Sequence, residues 1–299
     1  LAGGRLDDRR YFGDGSLHHR FANAGIAEKQ SMFSGGSPIE AGKCLQDDIL
    51  APCLPADPLI VRAILQIADQ MHAGIAWPDD KSFQIRLLDE AQRLRGHELI
   101  LVDGGSTDDT LVRAQPLVDG LLHCSPGRAR QLNAGAKAAS GDVFWFLHAD
   151  SSIPLEAIDL ILFALGPGRH AWGRFDIALS GRQQLLRLVE FMMNWRSRLT
   201  GIATGDQGIF VHRQAFETVG GFPEIPLMED IEISRRLKRL AAPCALRQRL
   251  GTSSRRWERQ GIIKTIWLMW RLRFAYALGA DPAGLARKYR PCNSPTAES

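Results

Sequence analysis

Three places in this chain put acids where they could act together. Asp103 ends the apolar run Leu99-Ile100-Leu101-Val102. Asp150, with His148 two residues before it, follows Val143-Phe144-Trp145-Phe146-Leu147. Glu229 and Asp230 precede a stretch in which Ile233, Leu237 and Leu240 recur at helical spacing. A carboxylate at a strand end can accept from a base or a ribose, as Asp103 could. It is also the hard ligand that Mg²⁺ or Mn²⁺ takes when bridging diphosphate oxygens, the chemistry open to Asp150. Alternate residues at a strand end project to one side, so His148 can hydrogen-bond a ribose or join the metal. Asp230, in a first helical turn, is placed to take a proton from a hydroxyl as a general base. Arg128 and Arg130 open another helical segment, and guanidinium forks suit phosphate oxygens.

Each of these groups also has a plainer reading. Asp103-Gly104-Gly105 can be a turn and Ser106 to Asp109 a helix cap. His148-Ala149-Asp150 can lead into a cap before Pro154. Glu229 and Asp230 can simply complement a helix dipole, and the two arginines can be solvated.

The elements that must position them alternate. Apolar runs near 99–102, 121–123 and 143–147 predict buried parallel strands. Between them, helices are expected after Ser106 and from Arg128 to Ala139. This pattern predicts an α/β fold, a doubly wound and mainly parallel sheet with helices on both faces. Ligands of such sheets bind outside the carboxyl ends of the strands, where Asp103 and Asp150 lie. Farther on, strands are expected at 175–179 and 208–211. Helices are expected at 185–199, 231–240 and 261–279, the last of these amphipathic. Residues 1–95 read as an irregular region, with apolar residues 59–65 leading into a helical stretch and an amphipathic helix from Lys81 to Leu94. Residues 291–299 read as a disordered tail.

Taken in order, these pieces resemble the family 2 glycosyltransferases of GT-A fold, and most closely the bacterial subgroup associated with radical-SAM and selenodomain proteins. The resemblance covers residues 96–290 and rests on Val102 to Thr110, Arg128 to Gly135 and Leu147-His148-Ala149-Asp150. Gly205-Asp206-Gln207-Gly208-Ile209-Phe210, Gly220-Gly221-Phe222 and Glu229-Asp230 complete it. It implies an inverting transfer from a nucleotide-sugar donor, UDP-linked, assisted by Mn²⁺ or Mg²⁺. Asp103, Ser106, Arg128, Arg130 and His148 would face the donor, and Asp150 would ligate the metal. Asp206 and Gln207 would line the acceptor side, and Asp230, with Glu229, would supply the base. Two departures stand out. His148 occupies the place of the first acid of the D-x-D motif, and no apolar strand ending in Pro-x-x-Asn-Glu precedes Asp103.

Bulk properties fit this picture. The chain has 299 residues, 45% hydrophobic and 23% charged, with a net charge of +4, too mild a balance to point to nucleic acid. Five cysteines, widely spread and without a C-x-x-C pair, predict neither a zinc site nor a disulfide framework and suit a reducing cytoplasm. Neither a signal peptide nor a spanning apolar run is visible. Between Arg235 and Arg273, however, twelve Lys or Arg stand against one acid, Glu258. That segment ends in a helix rich in Ile, Trp and Phe. It can either contact the inner face of the cytoplasmic membrane, where a lipid-linked acceptor would be met, or pack its aromatics against the sheet. Two other functions share these features. A nucleotidyltransferase would need a basic Gly-rich loop in the first third, which is absent from the sequence. An anion- or membrane-binding protein on a decayed transferase scaffold would not need the retained acids.

Overall fold

The computed structural model describes residues 61–67 (backbone only), 94, 96–106, 110–148 and 151–289, all within one compact unit. The expected helix from Lys81, the expected cap at 107–109, the expected metal ligand Asp150, the expected tail at 291–299 and most of the region 1–95 lie outside these residues.

Seven strands form one sheet in the order β3-β2-β1-β4-β6-β5-β7. They are β1 Val61–Ile67, β2 Glu98–Asp103, β3 Gly120–His123, β4 Val143–His148, β5 Trp172–Leu179, β6 Phe210–His212 and β7 Cys244–Thr252. All pairings are parallel except those of β6, which runs antiparallel to both β4 and β5. The sheet is therefore mixed and mainly parallel, as the alternating pattern predicts.

The missing first strand is a correction. Residues 61–67 are themselves a strand, and the helical stretch expected after them lies outside the described residues. This strand is β1, at the centre, with Ile67 opposite Asp103 on one side and Gln66 opposite His148 on the other. A run as short as Val-Arg-Ala-Ile-Leu-Gln-Ile carries no decisive period, and here two apolar neighbours supply the pairing that settles it. No Pro-x-x-Asn-Glu follows it in the sequence.

The continuous apolar runs follow from burial on both faces. Leu99, Leu101, Val143, Trp145 and Leu147 enter one core layer with Ile161, Phe175 and Phe210. The intervening Ile100, Val102, Phe144 and Phe146 enter the other, with Trp172, Phe216, Phe222, Ile233 and Leu237. Period-two alternation thus feeds two layers from one strand. Each fully buried side chain of this size stabilises the fold by roughly 1.5–3 kcal/mol.

Nine helices are found among the described residues: α1 Thr110–Ala114, α2 Arg128–Ala138, α3 Ala157–Ala164, α4 Gln184–Thr200, α5 Arg213–Thr218, α6 Glu229–Leu240, α7 Arg255–Gln260, α8 Ile262–Ala277 and α9 Pro282–Tyr289. Two amide clips fix helices that matter for the site. Asn133 of α2 donates to Phe222 O (2.8 Å) and accepts from Phe222 N (2.9 Å), which binds the Gly220-Gly221-Phe222 turn to the helix of Arg128. Asn194 of α4 does the same with Ile177 of β5, at 3.1 and 2.9 Å.

Helix α8 does not spend its aromatics on the sheet. Ile262, Thr265 and Leu272 are buried, whereas Ile263, Trp267, Trp270, Phe274 and Leu278 are exposed. Helix α4 likewise exposes Leu185, Leu188, Phe191, Trp195 and Leu199. The packing alternative for the last amphipathic helix is thereby overturned. Among the described residues, no helix is long and apolar enough to cross a membrane.

Candidate functional site

At the carboxyl end of β4 the buried ring of His148 meets Arg128 at the start of α2, with Nη2 2.7 Å from Nε2. Arg128 Nε lies 3.5 Å from Glu229 Oε1 at the head of α6. Asp206 Oδ1 stands 3.8 Å from His148 Nε2. Asp230 closes the group, accepting from Gly205 N (3.1 Å) through Oδ2 and from Ile231 N (2.8 Å) through Oδ1. Leu132, Phe146, Ile209 and Phe222 line the apolar side of this cleft. Five of the residues named from the sequence are thus brought together, from four different elements.

The loop that holds Asp206 is built tightly. A capping box between Thr204 and Gln207 starts a 3-10 turn over Gly205–Gln207. Gln207 is fully buried, and its amide donates to Phe175 O (3.4 Å), so it anchors the loop and does not face the cleft. At Gly205 a Cβ would stand 2.5 Å from His148 Nε2 and 3.3 Å from Arg128 Nη2. Glycine is required there for these two side chains to meet. Met228, just before Glu229, takes a left-handed backbone (φ 72), which costs on the order of 1 kcal/mol for a residue with a side chain. Its burial against Leu272 and Leu285 fixes it, linking α8 and α9 to the acids.

Electrostatics make the cleft a charged but balanced place. Burial is the largest influence on Glu229 and, with Asp230 nearby, raises its pKa, while Arg128 pulls it down. Asp206 keeps 44% of its side-chain surface, yet protein crowds its other sides. That burial and the charge of Asp230 raise its pKa against the pull of Arg128. Burial alone would lower the pKa of Arg128, but Glu229, Tyr289, Asp230 and Asp206 together hold it above the usual range, so it stays cationic. Tyr289 of α9, which shares this field, was not legible in the sequence.

Asp103 and Ser106 lie apart from that cluster but on the same edge. Asp103 is buried and accepts from Gly105 N (2.8 Å), Ser106 N (2.9 Å) and the Ser106 hydroxyl. Burial pushes its pKa up, but these hydrogen bonds and His123 outweigh it and hold the carboxyl below its usual value. Ser106 is accordingly spent on Asp103. With β1 between them, β2 and β4 are two strand spacings, about 10 Å, apart. A nucleoside at Asp103 and a diphosphate at Arg128 could be parts of one ligand. Arg130 is not brought in; it is half-exposed and faces Glu224 at 3.6 Å.

The fit to a metal is partial. Among the described residues, no three His, Cys, Asp or Glu side chains converge to hold an ion. Arg128 already engages His148 Nε2, and the Asp206 carboxylate stands 3.8 Å from the same nitrogen at the carboxyl end of β4. The buried Ser151 hydroxyl, at the same end of β4, has no hydrogen-bond partner and would accept a polar ligand.

Residues 86–218 match the family described as Glycosyl transferase family 2. Two uncharacterised glycosyltransferases, from two strains of Mycobacterium tuberculosis, are 34% identical over 93 residues, which is 28% of this chain and 35% of theirs. The match thus spans about a third of the length of these relatives. Among solved structures, a mannosyltransferase from Pyrobaculum calidifontis in complex with GDP-Man and Mn²⁺ superposes with a TM-score of 0.51. It is 18% identical, and the superposition covers 78% of this chain and 68% of that one, a likeness of fold. The matched segment is thus similar in sequence to the glycosyltransferase family 2 domain, and the mixed α/β sheet has glycosyltransferases of GT-A fold as structural neighbours.

Proposed function

We propose that this chain transfers a sugar from a nucleotide donor, UDP-linked, to an acceptor hydroxyl in one displacement that inverts the anomeric carbon. The observation that carries the reading is the convergence of Arg128, His148, Asp206, Glu229 and Asp230 beside the carboxyl end of β4. Asp103 would take the nucleoside and Arg128 the diphosphate, with Glu229 holding Arg128 in place. Asp230 would take the proton as the acceptor oxygen bonds to the anomeric carbon. The bond from that carbon to the diphosphate breaks, and its electron pair leaves on the nucleoside diphosphate. Mn²⁺ or Mg²⁺, held by Asp150 with Asp206, would neutralise that leaving group.

The test is calorimetric titration with nucleoside diphosphates and hydrolysis of a panel of nucleotide sugars, each with Mn²⁺ and with a chelator. Metal-dependent binding is expected for one of them, and Asp150→Ala should abolish the metal dependence while preserving the fold. A wild-type chain that neither binds nor hydrolyses any member of the panel would refute the reading.

Part of the same reading is a reversible seat on the inner membrane surface. The exposed apolar faces of α4 and α8 carry Trp195, Trp267 and Trp270, and Lys264 and Arg271 stand among them. The only carboxylate on these two helices, Glu190, is buried. Apolar, aromatic and cationic groups without an exposed acid complement anionic headgroups, each basic residue contributing roughly 1 kcal/mol. Co-sedimentation with anionic vesicles at low salt is expected, weakened severalfold in Trp267→Ser/Trp270→Ser. Absence of binding by the wild type would remove the membrane from the scheme.

A further inference from the structure

Helix α2 carries Arg128 into the acid cluster, and one turn farther along it sends a second polar side chain to another strand. Gln131 lies three residues after Arg128, on the same side of the helix. It is wholly buried, and its Nε2 donates to Val102 O (3.3 Å), the carbonyl just before Asp103. A buried amide is costly unless it is bonded, so one at this place needs such a partner. The turn after Asp103 is fitted around it. A Cβ at Gly104 would stand 2.8 Å from Gln131 Nε2 and 3.1 Å from its Cδ. Glycine is what lets the turn approach the enclosed amide this closely. The same turn supplies the Gly105 and Ser106 N–H groups that hold the Asp103 carboxylate.

Other contacts tie α2 to the opposite side of the site. Arg128 meets His148 of β4 and Glu229 of α6. Asn133 clips Phe222, whose ring meets Phe146 of β4 edge-on with centroids 4.9 Å apart. Within the sheet, β2 and β4 are joined only through β1. Gln131 gives their carboxyl ends a second connection, through one helix anchored at both places.

We propose that Gln131 is a positioning residue for the donor, fixing the distance between the nucleoside contact at Asp103 and the diphosphate contact at Arg128. It acts through the Val102 carbonyl and the Gly104 turn, and it touches neither half of the donor. The inference rests on the donor reading given above. A ligand held at two points gains from their linkage only when the points stand at its own spacing. Misplacement by about 1 Å already removes much of that gain. Loss of the Gln131 amide should therefore spare each half of the donor and weaken only their union.

The experiment measures binding of uridine, pyrophosphate and UDP to the full chain with Mn²⁺, by calorimetry and by competition. In the wild type, UDP should bind far more tightly than the two fragments together predict. Gln131→Met keeps the length of the side chain but cannot donate to Val102 O. It should weaken UDP about tenfold or more, with uridine and pyrophosphate each within about twofold of wild type. Gln131→Glu is the conservative variant, since its carboxyl can donate to Val102 O only while protonated. Relative to wild type, its UDP affinity should recover in acid and fall as pH rises. His212→Phe controls for stability. That ring bonds Leu165 O (2.9 Å) beside Val143, at the other edge of the sheet. Gln131→Met and His212→Phe should both melt a few degrees lower, but only the former should lose UDP. Unchanged UDP affinity in Gln131→Met, an equal loss of pyrophosphate, or an equal UDP loss in His212→Phe would overturn the proposal. So would a Gln131→Glu chain that shows no recovery in acid. Failure of the transfer reading looks different: a wild type that binds UDP but hydrolyses no sugar nucleotide sinks the transfer and keeps the spacing role, whereas one that binds no UDP sinks both.

Discussion

Replacing Asp230 by Asn is expected to lower turnover by on the order of 10²-fold or more, with donor affinity nearly unchanged. The expectation follows from what each oxygen of Asp230 touches. Both accept backbone N–H groups, from Gly205 and from Ile231, and neither contacts Arg128. An amide keeps one of these acceptors and turns its NH₂ toward the other donor. The fold should therefore lose about 1 kcal/mol, the net worth of one such bond. What the amide cannot do is take the proton released as the acceptor oxygen attacks. Steady-state turnover and calorimetric affinity for the nucleoside diphosphate, measured on the same variant, separate these effects. A parallel fall in both would mean that Asp230 holds the donor, and equal turnover would mean that another group takes the proton.

The acids of this cleft were visible in the sequence because each follows a feature that stands out locally. Asp103 ends a run of four apolar residues, His148 follows a run of five, and Glu229-Asp230 open a helix with a clean apolar stripe. Those runs are apolar throughout because both faces of the sheet are covered. β1 has Arg62 and Gln66 among its residues, so its pairing with β2 and β4 decides its state more than its composition does. β7 was missed for the opposite reason. It lies at the sheet edge, where Arg247, Gln248 and Arg249 are exposed, and among the described strands it pairs only with β5. Orphaned arginines were invisible for another reason: Arg196 and Arg256 have buried N–H groups without partners, and in a sequence they look the same as solvated ones. The Asn133 clip to Phe222 is a similar case, since it joins two recognised motifs across 89 residues and gives a structural reason for both.

The second large effect concerns Arg128, whose two roles can be pulled apart. Arg128→Gln should weaken nucleoside diphosphate binding about 10- to 100-fold, the range expected when hydrogen bonds to a charged group are lost. It should also destabilise the fold, because Glu229 is buried and Arg128 is its counter-ion at 3.5 Å. Removing one partner of a fully buried pair costs about 3–5 kcal/mol. Arg128 is nearly one-third exposed, so roughly 1–3 kcal/mol is the fitting expectation here. The pH dependence has a definite sign. Burial raises the pKa of Glu229 and Arg128 lowers it, so the variant leaves that pKa higher still. An acid whose folded pKa is raised favours folding below its unfolded value, about 4.3, and that contribution is lost as pH rises through the folded pKa. The stability gap between Arg128→Gln and wild type should thus be full at neutral pH and close as the solution is acidified. Adding Glu229→Gln removes the unpaired charge, so the double variant should regain most of the lost stability at pH 7 and still bind the diphosphate poorly. Denaturant midpoints across pH, read beside diphosphate affinity, check both halves. A double variant that recovers affinity along with stability would reduce Arg128 to a structural partner of Glu229.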